Sequence, residues 1–255
     1  MKKPKENYGD LLGKYLVEKI SGKNVCFANP RKWSVANYFS PIYCTVGSIL
    51  AYATKKTIVW GSGIILRDQE VLNSTFLAVR GPQTRIRLIE MGYDVPEVYG
   101  DPALLLPNFY FPSIEKKYKI GIIPHYNDFK MVNGWYHQDK SIKVIDLMTL
   151  NIEKTTDELL ECDQIISSSL HGLIVAHAYN IPAVWIKFSD KLYGDGIKFQ
   201  DYLESIEIPL YTSLIYEEKM SLNTLKMLFI NKCALPNKEV IEKLRNGLMK
   251  VCPFK

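Results

Sequence analysis

The residues best suited to chemistry surround a histidine that follows a run of three serines. Positions 167 to 169 are all serine, and His171 and Gly172 follow after one leucine. The stretch 164–166 predicts a buried strand before the serines, and 170–179 predicts a helix after them. Serine is a favoured helix N-cap, and the N–H groups at a helix N-terminus bind anions. We therefore expect a phosphate or carboxylate at this point, beside an imidazole that can move a proton.

Other polar or glycine-rich clusters fall where predicted strands end or predicted helices begin. Each has an ordinary structural explanation when it is taken alone: a turn, a surface charge or a buried histidine. Glycine lets a backbone approach a ligand closely, and arginine binds phosphate or carboxylate through paired hydrogen bonds. The candidates of this kind are Asn7, Asp10, Gly61, Ser62, Gly63, Arg80, Arg85 and His125. In contrast, we expect Asp101 to cap a turn and His177 to pack in the interior.

The composition excludes several classes of function. The chain has 255 residues, is 47% hydrophobic and carries a formal net charge of +5. Its Lys and Arg residues are dispersed, which argues against a nucleic-acid surface. The five cysteines form no zinc spacing, and we expect reduced thiols, no metal and a cytoplasmic protein. No apolar run is long enough for a membrane span, although the basic residues 2, 3 and 5 could contact the inner face of a membrane.

Strand-like and helix-like segments alternate along the chain, and this pattern predicts an α/β fold with parallel sheets. The predicted strands are 25–27, 57–60, 75–79, 97–99, 118–123, 143–147, 164–166 and 183–186. The predicted helices are 11–20, 83–91, 156–161 with a capping box from Thr155, 170–179, and 222–251 with a break at Pro236. Two prolines within 106–113 indicate a linker.

These elements predict two Rossmann-like domains with parallel sheets that face a cleft. The first would be residues 1–112, with the arginine turn of Arg80 and Arg85. The second would be residues 113–255, with the helix of His171. Its C-terminal helices would pack back on the first domain.

Taken in order, the motifs resemble those of the polysaccharide pyruvyl transferase family, in particular its short bacterial exopolysaccharide members. The matching segments are residues 7–10, 59–63, 79–85, 100–107, 123–126, 170–172, 181–185 and 198–202. The resemblance implies a GT-B-like fold. It also implies an enzyme that transfers pyruvate from phosphoenolpyruvate onto two hydroxyls of a sugar, as a cyclic ketal in an exopolysaccharide, a capsule or a related glycan.

The chemistry of that reaction assigns expected roles to the candidate residues. His171 and His125 would transfer protons, because histidine titrates near neutrality. Asn7, Asp10 and the turn of Gly61, Ser62 and Gly63 would face the sugar acceptor, which could be lipid-linked. No cofactor is expected beyond phosphoenolpyruvate as co-substrate. The expected ligands of the phosphoenolpyruvate donor are Arg80, Arg85, Ser168, Ser169, Leu170 and Lys198.

The sequence departs from the family pattern at two places. Only a short polar stretch precedes residue 7, where the family usually has a strand. Some members carry an arginine at the position of Ser169. If that arginine binds the donor phosphate, then Arg80, Arg85 or Lys198 must replace it here.

Two alternative functions stay open at this level. A glycosyltransferase that uses a nucleotide sugar would share the two domains and the anion-binding helix, although the second half lacks an acidic residue placed to hold a ribose. A non-catalytic binding module of the same fold is the other alternative. Release of phosphate from phosphoenolpyruvate, against release of a nucleotide, would distinguish the two enzymes.

Overall fold

The computed structural model describes residues 5–30, 40–230 and 234–255. In chain order its strands are β1 (Glu6–Asn7), β2 (Ile42–Cys44), β3 (Thr57–Trp60), β4 (Thr75–Ala78), β5 (Tyr118–Ile123), β6 (Ile142–Val144), β7 (Met148–Thr149), β8 (Cys162–Ser167) and β9 (Ala183–Trp185). Its α-helices are α1 (Tyr8–Ser21), α2 (Pro82–Glu90), α3 (Phe129–Tyr136), α4 (Ile152–Leu160), α5 (Leu170–Ala178), α6 (Ile197–Ser205), α7 (Leu222–Ile230) and α8 (Lys238–Lys250).

The chain forms two compact units that alternate along the sequence. Unit 1 draws on Met1–Leu11, Leu106–Tyr193 and Ile208–Pro236. Unit 2 draws on Leu12–Leu105, Gly194–Glu207 and Asn237–Lys255. The division between the units thus crosses α1, whereas the sequence-based prediction is of two consecutive segments, 1–112 and 113–255.

Unit 1 is built on a four-stranded parallel sheet in the order β6-β5-β8-β9. Four of the six residues in each of its two inner strands are buried, and these include the apolar runs of the sequence. Helices α3, α4, α5 and α7 pack against the strands. The core contains Ile120, Ile122, Ile166 and Val184 of the sheet together with Val132 of α3.

Unit 2 contains a three-stranded parallel sheet in the order β2-β3-β4. Val59 and Phe76 of the sheet pack with Val79, with Leu88 of α2 and with Ile197 of α6. The predicted α/β class with parallel sheets is therefore confirmed for both units.

Some short elements were predicted wrongly. Residues 25–27 are irregular, and the side chain of Phe27 is 93% exposed. Within 97–99 the structure shows an isolated bridge from Tyr99 to Val79 instead of a strand. The sequence patterns also missed β2, α3 and α6. Three apolar residues form a strand only where a neighbour offers hydrogen bonds and cover, so local propensity decides little at this length.

The start of α4 is a second correction. The helix begins at Ile152, and Asn151 is its N-cap, whose side chain accepts a hydrogen bond from the N–H of Lys154. Thr155 and Thr156, which the predicted capping box placed at the helix start, are buried inside the helix. Asn is as good an N-cap as Thr, and here it also places the apolar residues of α4 on the sheet.

None of the helices in the described residues combines the length and the apolar character that crossing a membrane requires. No group of three or more His, Cys, Asp or Glu side chains in residues 5–30, 40–230 and 234–255 could hold a metal ion.

Candidate active site

The sheet of unit 1 changes winding direction between β5 and β8. From β5 the chain goes to β6 on one side of it, and it later returns to β8 on the other side. In open parallel sheets, ligands bind at the carboxyl ends of the two strands that flank such a switch point. His125 follows β5, and the serine run begins at Ser167, the last residue of β8. The structure therefore brings these two predicted clusters to the same edge, at the switch point.

The serines join the ends of β5 and β8. The N–H of Ser168 donates to the carbonyl oxygen of Ile123 at 3.0 Å. The Oγ of Ser168 accepts the N–H of His125 at 2.8 Å. The Oγ of Ser167 accepts the N–H of Ser169 at 3.0 Å. These bonds tie the turn that leads into α5 to the ends of both strands.

Ser169 occupies the N-cap position of α5, but its side chain makes no capping hydrogen bond. The serine run thus does not cap the helix as the sequence predicted. In any α-helix the first backbone N–H groups have no acceptor within the helix. Leu170 and His171 are the first two residues of α5, so they lie at the end of the helix whose dipole favours an anion.

Two glycines bring backbone close to the serine turn and to His171. A Cβ on Gly172 would lie 2.4 Å from Oγ of Ser167, so only glycine lets the first turn of α5 sit on the strand ends. A Cβ on Gly9 would lie 2.0 Å from Nδ1 of His171. The first turn of α1 therefore packs directly on the imidazole, which is half-buried. Two motifs separated by more than 150 residues thus meet in unit 1.

The start of α1 is anchored firmly in unit 1. β1, which contains Asn7, pairs with β7 in antiparallel fashion, so the polar stretch expected to lack a strand forms a short one. The side chain of Asn7 accepts the N–H of Gly9 at 2.9 Å, which is a helix-capping contact. The hydroxyl of Tyr8 bonds Oγ1 of Thr156 at 2.7 Å. These contacts fix the backbone that faces His171.

Asp10 lies on the first turn of α1 and is exposed. Desolvation of its carboxyl group and the neighbouring Glu6 raise its pKa. A carboxylate at this position also complements the dipole of α1. The acceptor-binding roles that the sequence suggested for Asp10 and Asn7 stay predictions, but both residues lie on the segment that contacts His171.

Arg80 is fully buried in unit 2. Its Nε donates to Oδ2 of Asp201 at 2.9 Å, and both side chains are 0% exposed. The other two guanidinium nitrogens donate to Oγ of Ser48 and to the carbonyl oxygen of Ile64. Asp201 in turn accepts the N–H and the hydroxyl of Thr84. These contacts favour a structural role for Arg80, and its predicted role in donor binding stays a prediction.

The glycine turn after β3 packs against Arg80 and against Pro102. A Cβ on Gly63 would lie 2.4 Å from Cζ of Arg80, and one on Gly61 would lie 2.4 Å from the ring of Pro102. The hydroxyl of Ser62 is buried and donates to the carbonyl oxygen of Gly47 at 2.8 Å. All three residues thus have structural contacts inside unit 2, and nothing in those contacts bears on an acceptor.

Two further predicted cations lie in unit 2. Arg85 is half-buried and donates from Nε to the carbonyl oxygen of Val95 at 3.0 Å. The ammonium group of Lys198 lies over the ring of Phe199 at 5.3 Å from its centroid. Burial and then the charge of Arg80 lower the pKa of Lys198 to about 8. The donor-binding roles of Arg85 and Lys198 stay predictions.

Sequence reasoning missed two aspartates that matter in the structure. Asp201 is the charge partner of Arg80, and Asp128 is buried just after β5. A signal for Asp201 existed, because it lies in the motif 198–202. The signal for Asp128 was weaker, since only its place three residues after His125 pointed to it.

The comparisons with known proteins agree with the order of the motifs. The family model described as polysaccharide pyruvyl transferase matches residues 7–190. The chain is also similar to a protein described as "Uncharacterized protein L143" from Acanthamoeba polyphaga mimivirus. The two are 35% identical over 237 residues, which cover 85% of this chain and 78% of that protein. The matched range 7–190 contains both Gly9 and His171.

Proposed function

Because the chain belongs to the polysaccharide pyruvyl transferase family, we propose that it transfers pyruvate from phosphoenolpyruvate to two hydroxyls of a sugar in a glycan. The product is a cyclic ketal, and phosphate is released. A capsule or exopolysaccharide as the acceptor belongs to the same proposal, as does a GT-B-like arrangement of the two units. The observation that supports it best is the position of His171, at the N-terminus of α5 and in contact with Gly9.

The reaction requires proton transfer and stabilisation of phosphate. A proton is added to the methylene carbon of phosphoenolpyruvate, which leaves a cationic centre on the adjacent carbon. One sugar hydroxyl attacks that centre and loses its proton, which balances the proton that was added. The second hydroxyl then attacks the same carbon, the bond to the phosphate oxygen breaks, and the second proton leaves with the phosphate.

In this proposal, His171 donates the proton to the methylene carbon, because imidazole can donate and accept protons near neutral pH. The phosphate binds at the N-terminus of α5, through backbone N–H groups of the first turn, which begins at Leu170. Ser168 and Ser169 lie on the same turn and supply hydroxyls. His125, whose backbone N–H donates to Oγ of Ser168, is the second candidate for a proton step.

The acceptor side is assigned to the first turn of α1. Asp10 is exposed there and follows directly after Gly9, which contacts His171. A carboxylate suits sugar hydroxyls because it accepts their hydrogen bonds strongly. A lipid-linked sugar at the inner face of the membrane is compatible with this assignment and belongs to the proposal.

The test is phosphate release from phosphoenolpyruvate in the presence of a glycan acceptor, compared between wild type and His171→Ala. We expect the variant to lose at least about a hundredfold in kcat, which is the lower end of the contribution of a general acid. His137→Ala is the matched control, because His137 is an exposed histidine that follows the C-terminal end of α3.

A variant with near-normal turnover would reject the role of His171. Release of a nucleotide from a nucleotide sugar by the wild type, with no phosphate from phosphoenolpyruvate, would instead support a glycosyltransferase.

A further inference from the structure

Asp128 is a buried carboxylate that the proposed roles do not use. Its side chain is 2% exposed, and it lies in the loop between β5 and α3. Among the described residues, its Oδ2 has no hydrogen-bond partner although that atom is buried. Buried polar atoms are nearly always hydrogen-bonded, so an exception at a ligand-binding edge of a sheet calls for an explanation.

The position of Asp128 is closely defined. Its N–H donates to the carbonyl oxygen of His125 at 2.9 Å, which closes a turn from the end of β5. Its Oδ1 accepts the hydroxyl of Ser189 at 2.6 Å, from the loop that follows β9. Asp128 is the residue before α3, yet its side chain makes no capping hydrogen bond there. The carboxylate is therefore held toward the β9 loop by one oxygen, and its second oxygen is left for another donor.

The missing donor has to come from a ligand or from water. A buried carboxylate oxygen without a donor has lost its hydration with nothing in exchange, which is why such atoms are rarely left unpaired. No Lys or Arg side chain forms a salt bridge with Asp128 among the described ion pairs. A hydroxyl group is the donor that a sugar would supply.

The surroundings of Asp128 also fit a sugar. Tyr126, two residues earlier, is 51% exposed, and its ring lies 4.1 Å from that of His125. An aromatic face beside a few fixed polar groups is a common lining of small-molecule sites. The loop after β5 thus offers an aromatic ring, an imidazole and a carboxylate at the switch point between β5 and β8.

We propose that Asp128 binds one hydroxyl of the acceptor sugar and accepts its proton as that hydroxyl attacks the pyruvyl carbon. This inference rests on the proposed function. The oxygen–hydrogen bond of the sugar breaks while its oxygen forms a bond to carbon, and the proton passes to Oδ2 and then to solvent. Ser189 positions the carboxylate through its other oxygen.

The experiment compares wild type, Asp128→Asn and Asp139→Asn. Asp139 is the matched control, because it is a half-buried aspartate that precedes β6, at the opposite end of the strands. Phosphate release is measured with methyl glycosides of glucose, galactose and mannose, and with an exopolysaccharide stripped of its ketals by mild acid. Phosphoenolpyruvate binding is measured separately by calorimetry.

We expect Asp128→Asn to lower kcat at least about a hundredfold, while its affinity for phosphoenolpyruvate changes by less than about twofold. Asp139→Asn should keep both values. Ser189→Ala should lower kcat by about tenfold, because the carboxylate loses its orientation, and it replaces Asp128→Asn in the test if that variant does not fold.

Wild-type turnover in Asp128→Asn would overturn the inference and leave the proposed function intact, since water would then satisfy Oδ2. Equal losses of kcat and of phosphoenolpyruvate affinity would also overturn it, because they indicate a structural role. A wild type that binds no phosphoenolpyruvate and releases no phosphate with any acceptor would contradict the proposed function, and the inference with it.

Discussion

Gly9 lies against the imidazole of His171, and its lack of a side chain makes that contact possible. It lies in the first turn of α1, where alanine would normally be the better helix former. Its Cα instead lies so close to His171 that a Cβ would meet Nδ1 at 2.0 Å and Cε1 at 2.5 Å. The glycine is therefore required by the packing of the imidazole and not by the conformation of the helix.

We expect Gly9→Ala to displace the ring of His171 and to lower kcat by at least about tenfold, since small displacements of a catalytic group cost that much or more. The matched control is Gly134→Ala, because Gly134 lies inside α3 and a Cβ added there would meet nothing within 4 Å. That control should keep its activity and gain about 0.5–1 kcal/mol of stability. Steady-state kinetics and chemical denaturation measure both effects, and a fully active Gly9→Ala would show that the ring has room to move.

At the scale of elements, a buried ion pair joins α6 to β4 and α2 within unit 2. Arg80 follows β4, Thr84 lies in α2 and Asp201 lies in α6, and they are linked by three hydrogen bonds. Two buried charges are stable only while each keeps its partners. The motifs 79–85 and 198–202 therefore share a structural role, because their side chains form one buried hydrogen-bonded network.

We expect Asp201→Asn to destabilise the protein by about 3–5 kcal/mol, because the charge of Arg80 stays buried without a countercharge. Asp163→Asn is the control: Asp163 pairs with Lys119 at 3.1 Å, but the two side chains are 37% and 66% exposed. Such an exposed pair contributes about 0–1 kcal/mol. Guanidinium-induced unfolding followed by circular dichroism compares the two variants, and equal shifts would mean that the network of Arg80 tolerates a neutral partner.

At the scale of the whole molecule, the buried His177 makes the free energy of unfolding depend on pH. His177 is 2% exposed, and its Nε2 lies 3.2 Å from the carbonyl oxygen of Ala234 and 3.4 Å from that of Ala183. Burial lowers its pKa from 6.5 to about 4. The unfolded chain therefore binds this proton more readily than the folded one, and stability falls as the pH drops from about 6.5 to about 4.

Over that pH range, His177 lowers the free energy of unfolding by about 3 kcal/mol, at about 1.36 kcal/mol for each pKa unit. Asp101 acts in the opposite direction, because burial raises its pKa to about 6. Asp101 is present in both wild type and His177→Gln, so its effect cancels when the two are compared at each pH. We expect the stability of His177→Gln relative to wild type to rise as the pH drops from 7 to 4.5, while the control His137→Gln stays parallel to wild type. Parallel curves for wild type and His177→Gln would contradict the assignment.

The sequence alone predicts those strands and helices whose pattern lies in neighbouring residues. The apolar runs at 118–123 and 164–166 and the helix that starts near Leu170 follow from residues that are neighbours in the chain. The order of short motifs was sufficient for the family, because each motif marks a strand end or a helix start in a fixed succession. The strand predicted at 25–27 was wrong, because three residues carry too little information about the segments that would pair with them.

The contacts between distant segments could be decided only by the folded chain. Arg80 looked like a ligand-binding arginine, and its partner Asp201 is 121 residues away. No local pattern marks Asp128, and its partner Ser189 is 61 residues away. A charged side chain is chemically the same whether it faces a ligand or a buried partner. Its role depends on what the fold places beside it, and that is a property of packing across the chain and not of local composition.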